Sequence, residues 1–144
     1  MTSVTAGHTQ ILQSEGMAFL LIDVVKENRK KGRFLLHEFV VMPDHFHLLI
    51  TPAQGVSLEK AVQYIKGGFS FRARKEHSFQ RRIWQESFTN HRIRDAYDYE
   101  QHRAYIRENP TRKFLVQRAE LFPYSSAYPN AVIDPAPPWL KPSS

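Results

Sequence analysis

Apolar residues along the chain follow two different periodicities. Between Glu15 and Lys31, residues Ala18, Leu21, Ile22 and Val25 recur at helical spacing, with Ser14 placed to cap the start and Gly32 to stop the end. From Phe34 to Val41, and again from Phe46 to Ile50, the pattern changes to aromatic and β-branched runs. Met42-Pro43-Asp44 separates these runs, and Pro43 and Asp44 supply turn chemistry. Two antiparallel strands joined by a tight connection are predicted. Successive strand side chains alternate faces, so His45, His47 and Leu49 point one way while Phe46, Leu48 and Ile50 point the other. The two imidazoles then share a face, roughly 6 to 7 Å apart along the strand by the rise per residue, close enough to reach one ion.

The remaining elements are organised around that pair. Thr2 to Thr5 reads as the stub of a strand, followed by Ala6-Gly7-His8-Thr9 as a loop. Ser57 caps a second helix through Ala61, Val62 and Ile65, which Gly67 and Gly68 weaken by about 1 kcal/mol each relative to alanine. Either the helix bends there or another segment approaches its backbone closely. Phe69 to Lys75 interleaves two aromatics with three cations, a mixture that suits single-stranded nucleic acid. Two phenylalanines facing the core explain it equally well. Arg81 to Ile93 reads as a strand or strand pair anchored by Ile83, Trp84, Phe88 and Ile93. From Arg94 a helix runs through Tyr97, Tyr99, His102, Tyr105 and Ile106, and Pro110 makes it kink or end near Asn109. The stretch from Phe122 is proline-rich and reads as an extended segment draped on the domain with a loose end. Residues 1–128 thus form one domain and residues 129–144 a proline-rich tail.

Composition narrows the function. The 144 residues suit one domain with a real core, and 20 Lys and Arg against 14 acidic residues give a net charge of +6, which suits a polyanionic partner. Cations crowd the end of the first helix (Lys26, Arg29, Lys30, Lys31, Arg33), where matching the helix dipole explains them as well as a phosphate patch does. Cysteine is absent, which excludes disulfides, thiolate metal sites and a cysteine nucleophile. No apolar stretch approaches a membrane span and no signal pattern opens the chain, so a cytoplasmic protein with no membrane partner is expected. With seven histidines present, a His-x-His pair arises easily by accident, and what gives this one weight is its apolar, rigid backing.

Met42-Pro43-Asp44-His45-Phe46-His47-Leu48-Leu49-Ile50 resembles the histidine-hydrophobe-histidine (HUH) motif of the single-tyrosine transposases. Ile83-Trp84-Gln85-Glu86-Ser87-Phe88 and Tyr105-Ile106-Arg107-Glu108-Asn109-Pro110 are similar to later motifs of that family, and Phe122-Pro123-Tyr124-Ser125-Ser126 to its closing one. The ordered set is nearest to the branch of REP-associated tyrosine transposases, and it covers the chain from Thr2 to about Tyr128. Relatives carry more sequence ahead of the position of Met1, so an opening strand shortened at Met1 is expected.

The resemblance implies an α+β fold, a ferredoxin-like or RRM-like antiparallel sheet with helices packed on it. It implies a divalent metal, Mg or Mn, held by His45 and His47, with Asn109 completing the site, and Tyr105 as nucleophile. Residues i and i+4 share a helix face, so Tyr105 and Asn109 can address one point. By ligand type alone, two imidazoles suit Mn or Zn as well as Mg. Tyrosine phenol ordinarily titrates near 10 and needs assistance to attack, part of which a metal supplies at the scissile phosphate. Attack leaves a 5′-phosphotyrosine link and a 3′-hydroxyl, and the stored phosphodiester energy allows rejoining without ATP. The implied partner is single-stranded DNA with a hairpin, and both monomer and homodimer remain open.

Rival assignments stand beside these. Tyr64, near Lys66, competes for the nucleophile but has Gly68 at i+4. His37 lies in the other strand, while His91 and His102 show no partner at metal-binding spacing, so all three read as structural. Lys66, Arg72, Arg74, Lys75, Arg81 and Arg82 are the candidate DNA contacts. A non-catalytic RRM-like module that stacks bases on its sheet is the alternative from another class, and a metal-dependent phosphodiesterase is a third.

Overall fold

The computed structural model describes residues 2–7, 10–80, 83–84 and 88–140. Arg81, Arg82 and the Gln85-Glu86-Ser87 part of one motif lie outside them, as do His8 and Thr9. The elements follow in the order β1 (Thr2–Gly7), α1 (Glu15–Lys30), β2 (Phe34–Val41), β3 (His45–Pro52), α2 (Leu58–His77), β4 (Thr89–Arg92) and α3 (Ala96–Arg112). Short 3-10 turns sit at Gln10–Gln13 and Ala119–Leu121. The sheet order is β2-β3-β1-β4 with every pairing antiparallel, which is the ferredoxin-like arrangement the motifs implied.

Local chemistry explains most of these boundaries. Ser14 Oγ accepts from the Met17 amide at 3.2 Å, which satisfies an orphan donor at the start of α1, and Gly32 takes the left-handed conformation (φ 76°) that ends it. Ser57 caps α2 in the same way through the Lys60 amide. Ala18, Leu21, Ile22 and Val25 are all buried, as their spacing predicts.

The sheet separates two apolar layers. On one side α1 and α2 pack on Phe34, Leu36, Phe39, Val41, Phe46, Leu48 and Ile50. On the other, α3 contributes Tyr99 and Ile106 to a smaller cluster with Val40, Met42, Leu49, Ile93 and Phe122. The alternation of β3 therefore places His47 and Leu49 on the α3 side. A bulge in β2 between Leu36 and Glu38 turns Glu38 towards α3 while Phe39 rejoins the larger core.

Several expectations are corrected. The opening strand is six residues long and lies inside the sheet between β3 and β4, so Ala6 and Gly7 belong to strand rather than loop. Of the two readings of Gly67 and Gly68, the close approach holds and the bend does not, since helix α2 passes through both without a break. A Cβ on Gly68 would lie 3.2 Å from Val24 Cγ1, so this glycine lets α1 and α2 approach closely. The two aromatics of the cationic stretch divide between the two readings: Phe69 is fully buried, while Phe71 is 65% exposed. Among the described residues, the segment expected as a strand or strand pair over Arg81–Ile93 contributes only β4, although Ile83 and Ile93 are buried and Trp84 and Phe88 pack against the core. Helix α3 continues two residues past Pro110, because a proline so near the end forfeits little of the ladder and its ring is buried.

After α3 the chain returns along the outer edge of β2. Val41 N–H donates to Tyr124 O (2.8 Å), Ser126 N–H to Phe39 O (2.9 Å) and Asp134 N–H to Leu36 O (2.6 Å). Arg29 grips the Asp134 carboxylate through two hydrogen bonds of 2.9 and 2.8 Å. Among the described residues, no helix is long and apolar enough to cross a membrane.

Candidate active site

The histidine pair is assembled by strand geometry and a neighbouring turn residue. His45 and His47 lie at i and i+2 on β3, and their Nε2 atoms face each other at 3.1 Å with the rings at 89°. Ligands about 2.1 Å from one ion are separated by about 3.0 Å in cis-octahedral geometry and about 3.4 Å in tetrahedral geometry, so this spacing fits a shared cation. Asp44 Oδ1 lies 2.6 Å from His45 Nδ1, which holds the proton there and leaves Nε2 as a lone pair. His47 is buried, and burial followed by the nearby His45 pushes its pKa down to about 4, so the ring is neutral and able to ligate at ordinary pH. Asp44 is therefore more than a turn former, and its place directly before a histidine is the signal of that role in the sequence.

Helix α3 brings the tyrosine to the same face. The Tyr105 ring centroid lies 5.6 Å from that of His47 at 88°, and the side chain is 44% exposed. The Arg112 guanidinium sits 4.8 Å over the Tyr105 ring. Asn109 follows one turn later, is buried, and its Oδ1 finds no hydrogen-bond partner among the described residues. A buried amide oxygen without a donor is the kind of group that a cation would satisfy.

A buried carboxylate fixes the helix that carries Tyr105. Glu38, fully buried on β2, meets Arg107 Nη1 at 3.1 Å through Oε1 and Arg103 Nε at 3.3 Å through Oε2. The second contact is an ion pair without hydrogen-bond alignment, which leaves Oε2 without a hydrogen bond among the described residues. Ser126 Oγ from the returning segment donates to Glu38 Oε1. Arg103 and Arg107 bracket Tyr105 in sequence, so β2 and the closing motif together grip the tyrosine's own turn of helix.

A third assembly lies at the other end of the same cavity. The cavity, of about 420 Å³, is lined by His47 and Tyr105 and by Thr89, Asn90, His91, Gln101 and His102. His91 Nε2 lies 2.9 Å from Asp98 Oδ2 and His102 Nε2 lies 3.3 Å from Asp98 Oδ1. Burial would raise the Asp98 carboxyl, but hydrogen bonds from His91 and the Arg94 backbone outweigh it and hold the carboxyl at about 2. The reading of His91 and His102 as lacking a metal-spaced partner is thereby corrected. Asp98 and His102 are i, i+4 on α3, and only the β4 register brings His91 to them.

The remaining assignments sort by location. His37 is structural as expected, with its two ring nitrogens 2.7 Å from Thr51 Oγ1 and 3.1 Å from Asp134 O. Tyr64 lies on α2, the helix on the opposite side of the sheet from His47, and Arg33 stacks 3.7 Å over its ring. Arg72 is engaged by Glu27 (2.6 Å), Glu76 (2.7 Å) and Asp23 (3.4 Å), which occupies its donors within the protein and makes it a poor phosphate ligand. Arg74 and Lys75 are exposed, Lys75 with its Nζ 5.7 Å over the Phe71 ring. Lys66 is half-buried, desolvation lowers its pKa, and its Nζ lies 5.9 Å over the Trp84 ring.

Two solved structures share the fold of this chain. The chain superposes on a REP-associated tyrosine transposase solved bound to a REP hairpin, with a TM-score of 0.72 and 23% identity over 93% of this chain and 85% of that one. A transposase structure from Deinococcus radiodurans follows at a TM-score of 0.56 and 21% identity, covering 76% of this chain and 89% of that one. The sequence pattern of the family described as IS200-like transposases matches residues 2–109, and the chain belongs to that family. The REP-associated tyrosine transposase of Escherichia coli is 29% identical over 104 residues, 72% of this chain and 59% of that protein. A Haemophilus influenzae protein assigned to the same type is 33% identical over 96 residues, 60% of this chain and 54% of that protein. The chain therefore spans little more than half the length of the curated relatives it matches.

Proposed function

We propose that this chain is a metal-dependent DNA strand transferase that nicks and rejoins single-stranded DNA beside a hairpin through a 5′-phosphotyrosine at Tyr105. The observation that carries the reading is the placement of the Tyr105 ring 5.6 Å from His47, on the one face of the sheet where both histidines project.

His45 and His47 would hold a divalent Mg or Mn ion with Asn109. When bound, that ion would polarise the scissile phosphate and offset its developing charge, an effect worth several kcal/mol. Asp44 keeps the proton on His45 Nδ1, so that Nε2 remains a lone pair. The Tyr105 oxygen forms the new bond to phosphorus while the bond to the 3′-oxygen breaks; the phenol gives up its proton and the departing 3′-oxygen gains one. Reversal with a different 3′-hydroxyl rejoins the strand. Arg112, stacked on the Tyr105 ring, restrains the nucleophile and adds positive charge beside the phosphate. Lys66, Arg74 and Lys75 supply backbone contacts to the DNA, with Arg81 and Arg82 assigned to the same role from sequence.

The base-stacking module is disfavoured by the same geometry. An RRM-like reader needs an open sheet face, and here α1 and α2 cover one side while Tyr99 and Ile106 of α3 cover Leu49 and Val40 on the other.

Covalent trapping tests the proposal. The full chain is incubated with Mn and labelled single-stranded DNA carrying a hairpin, then resolved on a denaturing gel. A band at protein-plus-oligonucleotide mass is expected, abolished by Tyr105→Phe and by chelation and retained in Tyr64→Phe. An adduct that survives Tyr105→Phe overturns the nucleophile assignment. Cleavage by Tyr105→Phe to a free 5′-phosphate points to the hydrolytic reading instead.

A further inference from the structure

We infer that His91, Asp98 and His102 form a second divalent-cation site, distinct from the His45/His47 pair, which takes a borderline transition ion of the zinc class. The three donor atoms lie within 4.8 Å of one another. Around one ion with bonds of about 2.0–2.2 Å, donors stand about 3.0–3.5 Å apart. Asp98 already meets both imidazoles near that spacing, at 2.9 and 3.3 Å.

The donor set selects the ion. Two imidazoles and one carboxylate suit zinc, cobalt or nickel better than magnesium, which prefers an all-oxygen shell. Asp98 is the fixed point: it is 5% exposed and also accepts from the Arg94 amide at 3.0 Å, so its carboxylate is oriented independently of any ion. Both histidine Nε2 atoms lie within 3.3 Å of that carboxylate. The rings are stacked, with centroids 4.2 Å apart and planes at 19°, so their lone pairs run nearly parallel. Convergence on one ion needs one ring to turn. His91 lies on the four-residue edge strand β4 with its side chain 44% exposed, which puts that turn at the surface rather than in the packed core. For each histidine to ligate through Nε2, its single ring proton must sit on Nδ1, so a ring that hydrogen-bonds Asp98 through Nε2 changes tautomer as the ion binds.

The position makes the site consequential. The two histidines open onto the cavity of about 420 Å³ that also holds His47 and Tyr105, and this leaves room for water in the remaining coordination positions. An ion there would tie β4 to the first turns of α3, immediately ahead of Tyr105. Neither the ligands nor their expected ion are those of the proposed transfer reaction, so the two readings stand or fall separately.

Cobalt(II) is titrated into the metal-free full chain, with bound ions counted by equilibrium dialysis and followed by visible absorption. Two ions per chain are expected. The His45→Ala/His47→Ala variant should keep one, Tyr105→Phe should keep both, and His91→Gln or His102→Ala should lose the second, weakening it at least about tenfold. His91→Gln preserves a hydrogen-bond donor to Asp98 at an exposed position, so folding is maintained and can be checked by circular dichroism. Zinc should raise the melting temperature of His45→Ala/His47→Ala but not of that variant carrying His91→Gln as well. The inference is overturned if His45→Ala/His47→Ala binds no cobalt, or if His91→Gln and His102→Ala leave its cobalt binding unchanged.

Discussion

Neutralising Glu38 should loosen the helix that carries the tyrosine. Glu38→Gln preserves side-chain volume and an oxygen for Ser126, and removes only the charge that faces Arg103 and Arg107. Breaking a buried ion pair by removing one partner ordinarily costs about 3–5 kcal/mol. Here the carboxylate is fully buried, but the arginine side chains keep 38% and 30% of their exposure and can regain water, so a loss of about 2–3 kcal/mol is expected. With a urea m-value of about 2 kcal/mol/M, the unfolding midpoint falls by roughly 1–1.5 M at unchanged slope. A double-mutant cycle with Arg107→Gln should return a coupling of about 1–2 kcal/mol, because the two groups touch. A midpoint that hardly moves, equivalent to less than about 0.5 kcal/mol, would refute the account of Glu38 as the anchor of α3.

Three further outcomes are expected. The Arg29 hydrogen bonds hold the Asp134 carboxyl below its usual range, so its stabilisation is present above the ordinary carboxylate pKa and lost as pH falls through the depressed value. Asp134→Asn should therefore cost about 1–2 kcal/mol at pH 7, and urea titrations of variant and parent should converge in strong acid. Gly67→Ala meets open space on an exposed helix position and should stabilise by about 0.5–1 kcal/mol in thermal melts, whereas Gly68→Ala presses on Val24 and should forfeit that gain, with Val24→Ala restoring it. In filter binding to single-stranded DNA across a salt series, Arg74→Ala and Lys75→Ala should each lower the salt slope by about 0.7, while Arg72→Ala should leave the slope unchanged and lower the melting temperature.

How far the sequence speaks depends on the range of the interaction. Ser14, Gly32 and Ser57 mark their helix ends through bonds to neighbours three or four residues away, so those boundaries were legible. The facing of His45 and His47 follows from strand alternation alone. Tyr105 and Asn109 share α3, but their meeting with β3 depends on how the helix lies across the sheet, which only the resemblance to relatives supplied. The His91–Asp98–His102 cluster was hidden because β4 is four exposed residues with no apolar alternation. The bulge that sends Glu38 to α3, and the carboxylates from another helix that claim Arg72, likewise depend on long-range register. At Gly68 the close approach that the glycine pair allowed is the one α1 makes, whereas Pro110 misleads because local propensity argues for an earlier end and packing overrides it.

The segment that returns along β2 also bears on solubility. A sheet's outermost strand offers a row of unpaired amides and carbonyls to any neighbouring chain, and an apolar edge such as Phe34–Val41 is an invitation to strand-by-strand aggregation. Tyr124, Ser126 and Asp134 occupy the backbone positions of Val41, Phe39 and Leu36 on that edge, so the closing motif acts as a guard rail against intermolecular pairing. The opposite edge is guarded differently: β4 is too short to template much, and Arg92 places a cation on it.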